Sequence, residues 1–354
     1  MIDLSTKNWF LSFVGSFLTL IREEIMKNVI SAAALALAFC ATAGSAQQLR
    51  MEVSAPGSTA FVVGTHLASV LNERHGYQLE VATGFPGVRS ITNTASGDSD
   101  LSLYAPALAF FLNNQKAMFK DLANAKELAA ELRVLFTYEG DLFTFGTYDA
   151  SIQSLADLED KRVFLGPQGA ALVNINSNLI QAATGLVAGE DYELVHVDWS
   201  GAPALLQDGT VDVLFQLCAI GCATWAELST ARPLHLVGYT AEQAAMEGFQ
   251  EQLKFPGRQL REVAPADFGP GVSNEGPITM IGEFTGLVTN AKVSDEVAYN
   301  LTKAFWETRE DLARVAPFVA QFDIQDATFG MINTIHPGAA KYLSEQGVPM
   351  PAGQ

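Results

Sequence analysis

Cationic side chains are scarce in this chain: 21 Lys and Arg stand against 39 Asp and Glu in 354 residues, a formal net charge of −18. Nucleic acid is held mainly by cations that displace counterions from phosphates, so this balance argues against a nucleic-acid partner and equally against an anionic membrane surface. Histidine is also sparse. The five, His66, His75, His196, His235 and His336, form no His-x-x-x-His pair and none stands beside a Gly-x-Ser-x-Gly turn, which leaves a hydrolase triad without an anchor. There is no Gly-x-x-x-x-Gly-Lys-Ser/Thr loop for ATP hydrolysis and no three-glycine dinucleotide fingerprint. Cysteine is limited to Cys40, Cys218 and Cys222, with no histidine at ligand spacing for zinc. No catalytic residue, metal or cofactor is expected on these grounds. The apolar runs at 9–21 and 29–39 fall short of the ~20 residues that a spanning helix needs.

The second of those runs has a different reading. From Met26 the chain shows a basic residue, Lys27, then the apolar run, then Gly44 and Ala46 at the −3 and −1 spacing of a cleavage site. This predicts translation from Met26, a cleaved secretory signal, a mature chain from about Gln47 and a periplasmic location, with residues 1–25 upstream of the signal. Phe39 before Cys40 argues against a lipoprotein. Residues 1–46 carry three basic and three acidic side chains, so the mature chain keeps the full charge of −18. In an oxidising compartment Cys218 and Cys222 can form a disulfide, although the geometry is tight if both lie on one helix. Both outcomes stay open.

Strand and helix patterns then alternate. Strands are expected at 49–54, 77–82, 100–104, 132–138 and 142–147, with helices at 60–74, 88–96 and 108–130, the last with a break. The rhythm restarts with strands at 163–165, 193–197, 211–215 and 234–239 and helices at 170–184, 202–207 and 223–230. Residues 255–277 are rich in Pro and Gly and read as irregular connection; a strand at 283–289 and a long helix at 294–315 follow. Such alternation marks βαβ units on largely parallel sheets and predicts an α/β fold of two lobes.

In open α/β sheets a ligand sits beyond the carboxyl ends of the strands. The most informative such end is SLADLEDKRVFLGPQGAA at 154–171: a capped start, a short apolar strand, then a Gly-Pro turn opening a helix. Helix starts aim free N–H groups and a positive dipole end at one spot, which favours a bound anion. Similar ends occur at Ser54 and Gly57-Ser58-Thr59, and at Gly87 with Arg89. The expected ligand-binding residues are therefore Ser54, Gly57, Ser58, Thr59, Gly87, Arg89, Gln168, Gly169 and Ala170, with Tyr104 and Gln216 orienting the guest. Chain crossings between lobes are expected at 145–148 and 283–286.

Three stretches carry a family resemblance: 154–169 with Thr184-Gly-Leu186; GDSDLSLYAP at 97–106; and IHPGAAKYLSEQG at 335–347. On these the mature chain resembles the TAXI family of solute-binding proteins, receptors of TRAP (tripartite ATP-independent periplasmic) transporters. The resemblance implies a two-lobed type II periplasmic-binding-protein fold, each lobe a mostly parallel sheet flanked by helices, with a cleft between. Lobe I would be 47–144 with 285–354, and lobe II 145–284. It implies a non-catalytic, monomeric receptor that closes on a small organic anion such as glutamate, glutamine or 2-oxoglutarate and hands it to an ion-gradient-driven permease. The chain departs from the family where Gly57-Ser-Thr-Ala-Phe-Val-Val63 replaces a Gly-Ser-Thr-Gly-Gly-Thr-Tyr run and where Gly169-Ala-Ala-Leu172 replaces Gly-Ser-Gly-Thr. Ala170 and Ala171 make the second lobe's face drier, so a more apolar acid would fit as well as glutamate. His336 is expected to fix a helix entry away from the cleft, and Cys222, at a family proline, to brace the pocket rim with Cys218. Rival readings are a receptor for a membrane sensor kinase and a secreted enzyme using Cys218 or His196.

Overall fold

Two long strands organise the molecule: β4 (Leu132–Thr147) and β10 (Ile278–Asn290), paired antiparallel and buried along nearly their whole length. The computed structural model describes residues 47–53, 58–74 and 76–351. The leader, the start at Met26, Ser54 and Gly57 lie outside them. Around the central pair the sheet runs β2 (Tyr77–Ala82), β1 (Gln47–Glu52), β3 (Leu101–Tyr104), β10, β4, β7 (Val213–Cys218), β5 (Arg162–Phe164), β6 (Glu193–Leu194). Two strands branch from it, β8 (His235–Val237) on β4 and β9 (Arg258–Val263) on β10. The outer pairs β1–β3, β5–β7 and β5–β6 are parallel as expected. The centre is antiparallel throughout, so the sheet is mixed rather than mostly parallel.

Gly140 and Gly286 allow the close approach of the central strands. A Cβ on Gly286 would stand 2.0 Å from the Phe136 carbonyl oxygen, and one on Gly140 would stand 2.6 Å from Thr285 Cγ2. The expected break between two strands at 139–141 is thus a continuous strand, its glycine used for packing instead of a turn.

Helices cover both faces. Adjacent strand residues point to opposite faces, and Leu287 and Val288 accordingly enter different apolar sets. The first includes α1 (Thr59–Arg74), α10 (Asp295–Ala313) and α11 (Pro337–Glu345); the second includes α2 (Gly87–Ser96), α3 (Pro106–Asn113) and α4 (Ala125–Glu131). Further along the same strands, Ile281 and Phe143 join a set with α5 (Ala171–Thr184) and α9 (Glu247–Leu253), which follows α8 (Ala241–Ala245). Met280 and Leu142 join one with α6 (Ala202–Gln207) and α7 (Ala223–Ala231). Each half of the sheet therefore has its own pair of cores. On β4 the change falls between Tyr138 and Leu142, a few residues before the crossing expected at 145–148; on β10 it falls between Ile281 and Leu287, across the expected 283–286.

Local chemistry explains the ends of several elements. Ser154 and Asp157 form the expected reciprocal cap, but it opens a short 3-10 turn, Leu155–Leu158, before β5. The His336 ring accepts at Nδ1 from the Gly338 N–H (3.2 Å), so Nε2 donates to the Val293 carbonyl (2.9 Å) and fixes the entry of α11. Its location in the core beside α10, at 2% exposure, gives it the structural role expected. The strand β9 falls where irregular connection was expected: Arg258–Val263 pairs with β10 in a regular antiparallel register.

Candidate functional site

A cavity of about 490 Å³ lies between the two half-sheets. Its wall is assembled from four places: the first turns of α1 (Ser58, Thr59, Val62), the segment after α10 (Val315 to Phe318), the connection from β7 into α7 (Leu217 to Thr224), and Asp141 from the middle of β4. Thr59 belongs to the half with α1, while Cys218 and Thr224 belong to the half with α7. Two helix starts thus meet one space from opposite halves.

Each start is prepared differently. Ser58 caps α1, its Oγ accepting the Phe61 N–H at 3.2 Å. At α7 the cap position is Cys222, which supplies no side-chain acceptor, so the first-turn amides of Ala223 and Thr224 lack a capping partner at that position. The sulfur of Cys222 is instead bonded to Cys218, with the two Cα atoms 6.0 Å apart. One cysteine ends β7 and the other stands just before α7, which avoids the tight geometry of a pair within one helix. The disulfide sets the shape of the cavity rim, and it leaves Cys218 without the free thiol that a cysteine nucleophile needs. His196, the other reactive group considered, has Nδ1 within 2.9 Å of the Gly166 carbonyl oxygen.

Asp141 is tied to both halves. Thr59 Oγ1 donates to its Oδ1 at 3.1 Å, and the Ala219 amide also supports its charged form. Burial works the other way and pushes its pKa up. Two further acids stand nearby on the central strands. Glu139 accepts from Arg261 Nε at 2.8 Å, and Glu283 stands 4.0 Å from Arg258 Nε; burial raises the pKa of both. The Arg258 guanidinium is held between the Phe255 ring at 5.0 Å and the Phe143 ring at 5.6 Å. Burial lowers its pKa, and its side chain is only 3% exposed.

Of the residues expected to bind a ligand, the structure brings Ser58 and Thr59 to this cavity. Gln216 of β7 pairs with Thr144 of β4 and stands one residue before Leu217 on the cavity wall, which it does not itself line. Gly87 and Arg89 are exposed in the first turn of α2, where the Arg89 guanidinium lies 5.1 Å from the Phe85 ring centroid. Gln168 and Gly169 are exposed in the turn before α5, and Ala170 is the N-cap of that helix. None of these five lines the cavity. Tyr104 is a correction: it is fully buried, its hydroxyl accepts from the Ile332 N–H at 3.0 Å and donates weakly to Asn333 Oδ1 at 3.4 Å, and its pKa is pushed up to about 12 by burial. A phenol taken up in the core cannot orient a guest. Asp141 and the start of α7 were missed. The available signal was a Glu-Gly-Asp triplet set inside an otherwise apolar strand run.

Beside α3 the gap between the halves is filled. Phe255 packs edge-on to Phe110 at 5.6 Å and lies 6.0 Å from Phe111. Gly257 closes so tightly on Pro106 that a Cβ would lie 2.9 Å from the proline ring.

A family model described as the NMT1-like family matches residues 53–347. The chain belongs to the NMT1-like family. Among solved structures this NMT1-like chain is similar to the putative sulfonate ABC transporter periplasmic sulfonate-binding protein SsuA from Methylobacillus flagellatus, with 15% identity, 79% of this chain and 74% of that chain covered, and a TM-score of 0.46. It is also similar to the periplasmic aliphatic sulphonate binding protein SsuA from Escherichia coli, at 14% identity, 85% and 91% coverage and a TM-score of 0.45. A third is a TRAP periplasmic solute binding protein from Pseudomonas aeruginosa with bound L-malate, at 10% identity, 78% and 87% coverage and a TM-score of 0.41.

Proposed function

We propose that this protein is an exported solute-binding receptor of the type II two-lobed kind, capturing a small organic carboxylate and delivering it to the permease of a TRAP transporter, as the TAXI resemblance implies. The observation that carries this reading is the cavity walled by two helix starts from opposite halves of the sheet. A carboxylate there faces the positive ends of α1 and α7, each equivalent to about half an elementary charge. The lobes are taken as 47–144 with 285–354 and 145–284, joined by β4 and β10; the separate cores support two lobes, with Leu142 and Phe143 packing on the side of the second. A guest that touches both halves at once favours their closed arrangement over the open one, so binding shifts an existing equilibrium. The leader pattern read before Gln47 supports export to the periplasm, an oxidising compartment that suits the Cys218–Cys222 bond.

The test is a thermal-shift panel of amino acids, keto acids and dicarboxylates on the mature protein. A ligand that binds only the folded state stabilises it by about 2.7 kcal/mol at a hundredfold excess over Kd. The expected result is a clear rise in Tm with one carboxylate class. A panel that leaves Tm unchanged throughout overturns the receptor reading.

A further inference from the structure

We propose that Asp141 makes the cavity selective for a carboxylate that also carries a positively charged nitrogen on an apolar body, such as an apolar α-amino acid, and sets it against a second carboxylate. The inference rests on the receptor reading and narrows it to a ligand class. Among the described residues, Asp141 is the only ionisable side chain on the cavity wall; no Lys, Arg or His stands there. A second carboxylate brought to the Thr59 side of the cavity meets the like charge of Asp141, whereas an ammonium there is drawn to it. The remaining wall is largely hydrocarbon, from Val62, Leu217, Ile220, Val315 and Phe318. The hydroxyls of Ser58, Thr59 and Thr224 on that wall carry no charge to offset a second acid group beside Asp141.

The position of Asp141 suits an ammonium partner. A carboxylate offers about four lone-pair directions, and here Thr59 Oγ1 and the Ala219 amide engage two of them. Acceptor capacity remains on the side facing the cavity. Those same two donors come from different halves, so the carboxylate is held in place by each of them and cannot swing away from a guest. Distance along the wall allows one α-amino acid to satisfy both charged groups, since Thr59 is at once the first residue of α1 and the partner of Asp141. The apolar side chain then lies against Val62, Ile220 and Phe318.

Calorimetric titration with leucine, its keto analogue 4-methyl-2-oxopentanoate and 2-oxoglutarate tests this directly, because the first two differ chiefly in the amine. Wild type is expected to bind leucine at least tenfold more tightly than either of the others. Asp141→Asn is expected to erase that preference while keeping the keto acid affinity. Equal or tighter binding of the keto acid or of 2-oxoglutarate by wild type overturns the inference and leaves the receptor reading standing. The wild-type ratio needs no variant, so it decides even if Asp141→Asn fails to fold. An unchanged preference in a folded Asp141→Asn also overturns it, as does silence of all three ligands. The wider thermal-shift panel then separates a receptor for another class from no receptor at all.

Discussion

Where α1 begins, the gap between the two half-sheets stays open as a cavity of about 490 Å³; where α3 begins, it is packed with Phe110, Phe111 and Phe255. Both places offer a helix start at the end of a strand of the same half-sheet, β1 for one and β3 for the other. The residues brought from the opposite half make the difference. The connection from β7 contributes Ala219, Gly221 and Ala223, which leave space, and the entry into β9 contributes Phe255 and the Arg258 guanidinium, which occupy it. A helix dipole is therefore available at many strand ends, and the size of the facing side chains selects which of them becomes a site.

The sharpest way to break this comparison is to fill the open side. Ala223→Trp is expected to abolish ligand binding, at least a hundredfold in Kd by calorimetry, with the fold intact by circular dichroism. The same substitution at the exposed Gly169, outside the cavity, leaves binding in place. Emptying the filled side comes next. Phe255→Ala removes the shared contact of two rings and one face of the Arg258 sandwich, and is expected to cost about 2–3 kcal/mol by chemical denaturation with ligand affinity unchanged. Reducing the Cys218–Cys222 bond with dithiothreitol opens a ring of sequence separation 4, a loss of about 2 kcal/mol on chain-entropy grounds. It is expected to weaken binding as well, because the ring is part of the cavity rim.

The smallest effect is on pH. Burial raises the pKa of Glu139, Asp141 and Glu283, so the folded state holds their protons more tightly than the unfolded chain. Their contribution is fully present below the ordinary carboxylate range and is lost as pH rises through the raised values. Asp212 behaves oppositely: burial pushes its pKa up, but the hydrogen bonds from Arg162 outweigh that and hold it below the usual value. Its contribution is present above the ordinary range and is lost as pH falls. Melting followed between pH 4 and 7 in wild type and in Asp141→Asn separates the two, with a flatter decline toward neutral pH expected in the variant.

The alternation of strands and helices was legible because local periodicity survives in each element: β2 (Tyr77–Ala82) and α6 (Ala202–Gln207) have the bounds the pattern predicts. Long-range pairing was not. Nothing local shows that 132–138 and 142–147 are one strand, since Gly140 serves a neighbour 145 residues away in Thr285. β9 is hidden for the same reason; its partner lies on β10 and its surroundings are Pro- and Gly-rich. The site was legible in kind and only partly in place. Ser58 and Thr59 follow from the strand-end rule, whereas the start of α7 bears Cys222 and Ala223, without the Gly-Pro turn that drew notice to Gln168 and Gly169. Tyr104 sits at a strand end as read, but a side chain's direction there depends on packing with Ile332 and Asn333 over 200 residues on.

The unbroken course of β4 and β10 through four cores also bears on how the molecule comes apart. Each strand is the backbone partner of the other on both sides of Gly140, so melting one half frays the ladder of its neighbour. Calorimetry should accordingly record one endotherm rather than two, and a proteolytic nick in either ribbon should release both halves together.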